Sequence, residues 1–282
     1  LSRLAKFYKT CQRYSEALPL CLEALDLCEK LHGKSHSETA KELSGLGTLF
    51  YCQKRFNEAI KVFERCFNIR HRVLGESHVD TISSLNHYAD VLYDSDQLNE
   101  SLAQFLILLE LQMKYIGIDC PDATVVLTKI AYIHTDLGHM LSAKEYHMLA
   151  LDKRISFFGE NHPLTAQSYY NVGVVVDQQG LYHDALQYQL KALHIRQTVC
   201  DSESKSNTNS NSNSNNDTNG GTSSSNGHKQ TQIQLDLADS YIIVAELHYV
   251  LNRNLNTTAL ECIEIGLEIR ETWWAQYLEY NH

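Results

Sequence analysis

The chain has 282 residues, 43% hydrophobic and 21% charged, with 13 Gly and only 3 Pro, too apolar for a disordered chain and too poor in turn formers for a β-sandwich or barrel. Its 34 acidic residues outnumber 24 Lys and Arg, giving a net charge of −10, which argues against a phosphate-binding face and so against nucleic acid as a partner. No uninterrupted apolar run of about 18 residues occurs, so no membrane insertion is expected.

In chain order, the apolar spacing predicts a half-unit helix at 1–10 and its partner at 14–31, with Pro19 kinking that partner or delaying its start. Helix pairs follow at 36–73, 78–115, 120–157 and 162–199. Within the first of these, Leu43, Leu46 and Phe50 lie three and four residues apart, as do Phe56, Ile60, Phe63 and Phe67. From 201 to 231 the pattern stops: of the 25 residues Ser202–Asn226, 22 are Ser, Asn, Thr or Gly. Such a composition cannot bury enough surface to offset ordering entropy, so a disordered insertion is expected between residues 1–200 and a last segment, 232–282. That segment carries a sixth pair at 233–272, with Ala259, Gly266 and Arg270 in the columns of Ala59, Cys66 and Arg70, and a C-terminal capping helix whose Trp273, Tyr277 and Tyr280 share a face.

The pairs repeat at 42 residues. Gly33, Gly75, Gly117 and Gly159 open GKSHSET, GESHVDT, GIDCPDA and GENHPLT, and Ala17, Ala59, Ser101, Ala143 and Ala185 keep the same interval. Small residues at Gly47, Ala89, Ala131 and Gly173 alternate with large ones, which lets the two helices of a pair approach closely. In each joint Gly supplies a left-handed helix end. The residue two after it (Ser35, Ser77, Asp119, Asn161) suits an N-cap, with His36, His78 and His162 closing the joint and Cys120 replacing the third His.

These helix pairs, with L-G-x-x-F…F-x-x-A-x-x-x-F-x-x-C over 46–66, resemble the tetratricopeptide repeat, whose usual unit is about 34 residues. The longer unit with LG-x-x-H-x-x-T, seen at Leu74–Thr81 and followed by Ser84–Ala89, is similar to the kinesin light chain family, and similar arrays occur in nephrocystin-3 and beside signalling NTPases. The resemblance implies an all-α fold: a right-handed superhelical solenoid of stacked antiparallel helix pairs whose concave groove is lined by the first helix of each pair.

By spacing, the residues facing that groove are Lys41, Ser44, Gly45 and Thr48; Asn86, His87 and Asp90; Thr128, Lys129 and Tyr132; and Tyr170, Asn171 and Val174. Asn side chains there suit paired hydrogen bonds to a peptide backbone, although each residue also reads as the polar side of an amphipathic helix. The kinesin light chain resemblance implies binding of short cargo motifs, often aromatic and acidic, with Lys41, Asn86, Lys129 and Asn171 at matching positions. Another ligand mode of such repeats, a Lys/Asn/Arg clamp on a C-terminal carboxylate, is not expected, since Lys6, Ser44 and Gly45 stand at its positions.

No phosphate-loop, dinucleotide, nucleophile-elbow or H-E-x-x-H motif is present, so neither catalysis nor a cofactor is expected. The eight cysteines form no C-x-x-C pair and read as reduced thiols, which points to the cytoplasm. The 14 histidines show no zinc spacing, and no metal is assigned. The chain begins at Leu1 without a charged-then-apolar leader, as expected of a piece of a longer protein. The expected function is therefore a non-catalytic scaffold that binds linear peptide motifs of protein partners, as a cargo adaptor in a kinesin heavy chain complex; the alternative is a sensing array attached to a signalling NTPase.

Overall fold

The computed structural model describes the backbone of residues 1–115, 120–210, 223–252 and 257–280, and side chains for 1–115, 120–202, 232, 234–251 and 257–272. Among these residues the fold is all-α. Two compact units are present, Leu1–His139 and Met140–His282. The first holds α1 (Ser2–Thr10), α2 (Tyr14–His32), α3 (Ser37–Cys52), α4 (Phe56–Leu74), α5 (Val79–Asp94), α6 (Leu98–Tyr115) and α7 (Pro121–Asp136); the second holds α8 (Met140–Phe158), α9 (Pro163–Gln178), α10 (Tyr182–Ser210), α11 (Ser223–Asn252) and α12 (Thr257–Tyr280). In both, consecutive helices pack in the antiparallel pairs of a solenoid. Pro19 lies inside an unbroken α2 and does not delay its start.

Each pair closes by one turn. Gln12, Lys54, Asp96, Gly138 and Gly180, again 42 residues apart, all have φ between 58° and 77°. In the turn after α3 the Lys54 amide donates to the Tyr51 carbonyl and the Arg55 amide to the Phe50 carbonyl, the paired bonds of a Schellman ending. Three of the five positions carry a side chain, each at a conformational cost of about 1–2 kcal/mol.

The joint between pairs differs from expectation by one residue. His36, His78 and His162 are themselves the N-caps: Nδ1 accepts from the amide of Glu38, Asp80 and Leu164, at 3.2, 3.1 and 3.2 Å. The His36 ring stacks on His32 and the His162 ring on Phe158, so the imidazole caps one helix while packing on the end of the previous one. Ser35 and Asn161 lie before the cap. The joint threonine ties back to the glycine, with the Thr39 hydroxyl donating to the Gly33 carbonyl and the Thr165 hydroxyl to that of Gly159, both at 2.8 Å. Cys120 caps α7 without a side-chain bond, and Pro121 follows it.

A column of arginines fastens the next pair. Arg70 donates to the Asp80 carbonyl at 3.0 Å, and Arg154 to the Leu164 carbonyl at 3.2 Å and the Ser168 hydroxyl at 2.8 Å. Arg196 makes the same two contacts with Asp236 and Ser240 of α11. Arg154 reaches 10 residues on and Arg196 reaches 40, so the repeat resumes in register after about 30 inserted residues, as the logarithmic cost of added chain length permits. Helices α10 and α11 extend into that segment, whose residues 211–222 lie outside the described ones, as do the side chains of Trp273, Tyr277 and Tyr280. Ala259 is fully buried and Gly266 packs on Ile242 and the Ala238 carbonyl, while Arg270 pairs with Asp239 of α11.

Candidate functional site

In the first unit the first helices of successive pairs bring their predicted groove positions together. A pocket of about 480 Å³ is walled by Thr48 and Tyr51 of α3, by His87, Asp90, Tyr93 and Asp94 of α5, and by Lys129 and Tyr132 of α7. Its floor is the second helices' buried Phe63 (α4) and Phe105 (α6), each 1% exposed. Phe63 reaches this floor because Gly47 opposite it has no side chain: a Cβ there would sit 2.9 Å from the ring tip.

Polar groups organise the walls. The Lys129 ammonium lies 2.5 Å from Asp90 Oδ1 and 3.3 Å from Asn86 Oδ1, and sits over the Phe105 ring at 5.2 Å from its centroid. Asn86 Nδ2 donates to Asp90 Oδ2 at 3.2 Å. The His87 ring stacks on Phe63 with centroids 5.6 Å apart. Two tyrosines form a ladder between pairs: the Tyr51 hydroxyl donates to Asp94 at 2.5 Å and the Tyr93 hydroxyl to Asp136 at 2.6 Å, each over 43 residues of sequence. The Asp94 bond, with burial, holds the Tyr51 phenol neutral, its pKa pushed up to about 12. Burial and then the Asp136 bond raise that of Tyr93 further.

Thr48, His87, Asp90, Lys129 and Tyr132 thus line one pocket, and Asn86 supports it. Lys41 points elsewhere, pairing with Glu38 at 3.5 Å. Ser44 contributes its carbonyl to the Thr48 hydroxyl at 2.8 Å. Thr128 is buried and donates to the Thr124 carbonyl. In the second unit Asn171 is 4% exposed, with Oδ1 accepting from Gln167 at 2.9 Å. Tyr170 is half-buried under the Arg196 guanidinium, and Val174 is also half-buried. Spacing along one helix missed Tyr51, Tyr93, Asp94 and the two phenylalanines. The signal for them was columnar, since Tyr51 and Tyr93, Asp94 and Asp136, and Phe63 and Phe105 each stand 42 apart.

Among the described residues no group of three or more His, Cys, Asp or Glu is placed to hold a metal ion, and no helix is long and apolar enough to cross a membrane. None of the eight cysteines is in a disulfide; Cys66 is buried and its thiol donates to the Ala40 carbonyl at 3.1 Å. The tetratricopeptide repeat family model matches residues 1–70, 43–114 and 122–198, which is most of the chain. The chain belongs to that family. No curated protein sequence matches it. Among solved structures it is similar to BtubC (BKLC) from P. vanneervenii, at 14% identity and a TM-score of 0.67 over 93% of this chain and 91% of that one. It is also similar to a putative kinesin light chain with nearly identical repeats from Podospora anserina, at 16% identity and a TM-score of 0.64 over 70% and 94%. A third likeness, at 14% identity and a TM-score of 0.58, is to a signal transduction ATPase with a tetratricopeptide repeat sensor from Pyrococcus horikoshii, covering 99% of this chain and 42% of that protein. The tetratricopeptide repeats of this chain therefore share the fold of kinesin-light-chain-type arrays.

Proposed function

We propose that this chain is a non-catalytic interaction scaffold, acting in the cytoplasm, whose first-unit groove holds an extended peptide segment of a partner protein. The observation that carries the reading is the convergence of α3, α5 and α7 on one pocket with an aromatic floor and hydrogen-bonding walls, the arrangement by which helical repeats anchor linear segments. The likeness to kinesin-light-chain-type repeats supports work as a cargo adaptor with a kinesin motor. A second reading, a sensor array beside a signalling ATPase, is supported by the Pyrococcus horikoshii structure, of which this fold spans the matching 42%.

A pull-down from cytosol tests both. It compares the parent chain with a Thr48→Trp variant, which fills the pocket, shown by circular dichroism to be folded. Partners captured by the parent and lost from the variant support the groove; partners retained by the folded variant refute it. Motor and cargo proteins among those lost favour the adaptor reading, and an ATPase favours the sensor reading.

A further inference from the structure

We propose that the first-unit groove selects a cationic peptide segment, seating an arginine or lysine side chain of the partner against Asp94 and the exposed Tyr51 ring, with Asp136 on the neighbouring first helix adding a second unmatched carboxylate. This rests on the groove being the peptide site and adds the chemistry of what enters it.

Charge is the first observation. The pocket's charged lining is Asp90, Asp94 and Lys129, and the only cation among them is already neutralised by Asp90 at 2.5 Å. Asp94 and Asp136 have no cation within ion-pair distance among the described residues; each instead accepts a hydrogen bond from a tyrosine of the pair before it. A phenol positions a carboxylate without cancelling its charge. The two anions are thus fixed in direction and left electrically unmatched, Asp94 in the pocket wall and Asp136 behind the wall residue Tyr93.

Aromatic surface is the second. The Tyr51 ring is 38% exposed at the pocket wall. Faces of this kind attract a guanidinium or ammonium through the ring quadrupole.

The third is that the groove already seats one cation of its own. The Lys129 ammonium is held by a carboxylate, an amide oxygen and the Phe105 face. Asp94 with Tyr51, one helical turn further along α5 from Asp90, offers a carboxylate and a ring to a second cation, this one from the ligand. An acidic segment would meet two unmatched carboxylates and a lysine already committed, an arrangement that rejects it.

The test is selection from a random peptide display library on the whole chain, followed by affinity measurement of the enriched peptides. The measurements use the parent, an Asp94→Asn, Asp136→Asn variant, and a Thr48→Trp variant that fills the pocket. Asn keeps an oxygen for each tyrosine, so thermal unfolding checks that the fold is intact. The expected result is enrichment of Arg or Lys, with binding weakened about tenfold or more in the Asn variant, abolished in the Trp variant and sensitive to salt. Enrichment of Asp or Glu in peptides that the Trp variant no longer binds would overturn the cationic proposal and leave the groove reading standing. Cationic peptides that bind the Asn variant as tightly as the parent would also overturn it. Peptides indifferent to the Trp variant, or no enrichment at all, would overturn both.

Discussion

In α4 and α6 of residues 1–139 the position that fills the small-residue seam is phenylalanine, Phe63 and Phe105; in α8 and α10 of residues 140–282 the same 42-residue column holds His147 and Gln189. All four are buried, between 0% and 2% exposed. The aromatic pair presents ring faces to the groove, where His87 and Lys129 settle on them. The polar pair is turned to internal bonding: Gln189 packs on Gly173 and donates to the Tyr170 carbonyl at 3.1 Å. The backbone joints recur in both units, with a left-handed turn inside the pair and, at α3, α5 and α9, a histidine cap between pairs. One repeated scaffold therefore yields different surfaces according to a single buried column, and the aromatic version makes the ligand-sized pocket.

The strongest way to break that contrast is to empty the column. Phe63→Ala removes a fully buried ring against Gly47 and is expected to cost about 3–5 kcal/mol, read from denaturant unfolding. A loss below about 1 kcal/mol would mean that the seam collapses freely.

Acid separates the two halves of the column next. Burial lowers the His147 pKa to about 4 from 6.5. The unfolded chain takes up the proton first, so this stability is fully present above about pH 6.5 and is lost as pH falls toward about 4, by up to about 3 kcal/mol. His147→Gln, the residue its column carries at position 189, should flatten that part of the pH–stability curve; an unchanged slope would place the acid sensitivity elsewhere.

Glycine seams give a smaller, directional test. A Cβ on Gly47 meets the rigid Phe63 ring at 2.9–3.0 Å, whereas on Gly173 it meets the end of the flexible Gln189 side chain at 2.6 Å. Gly47→Ala should destabilise by about 1–3 kcal/mol. Gly173→Ala should stay within about 1 kcal/mol of the parent, as the lost Gln189 bond is offset by alanine's helix preference. Equal costs would contradict the distinction between a rigid and a yielding column.

The turn inside each pair offers the smallest effect. Lys54 and Asp96 hold φ of 58° and 65° where the later turns have Gly138 and Gly180. Lys54→Gly, which copies those later turns, should raise stability by a few tenths to about 1 kcal/mol, after the greater unfolded-state entropy of glycine is subtracted. Destabilisation would mean that the Lys54 side chain has a role beyond the turn.

Much of this was legible in the sequence: columns 42 apart identified the helix pairs and the Gly joints, and spacing along each first helix identified five of the pocket residues. That spacing also placed Thr128 on the groove, where the structure buries its hydroxyl against the Thr124 carbonyl. The joint motif assigned the cap to the best capping residue types, Ser35 and Asn161, whereas imidazole caps at His36 and His162 because it reaches the next amide while stacking on the preceding helix. The Tyr51–Asp94 and Tyr93–Asp136 ladder escaped notice because its members are 43 residues apart and meet only once the first helices lie side by side.

The most direct test of the groove assignment is site-specific photo-cross-linking. A small aliphatic diazirine side chain, which leaves the pocket open, replaces Thr48 at the pocket wall or, as the control, Arg72 on a separate cavity lined with Lys61 and Arg65. Adducts with captured partner segments from position 48 and none from position 72 are the predicted result. Adducts from position 72 with none from position 48, in chains that bind the partner equally well, would contradict the account.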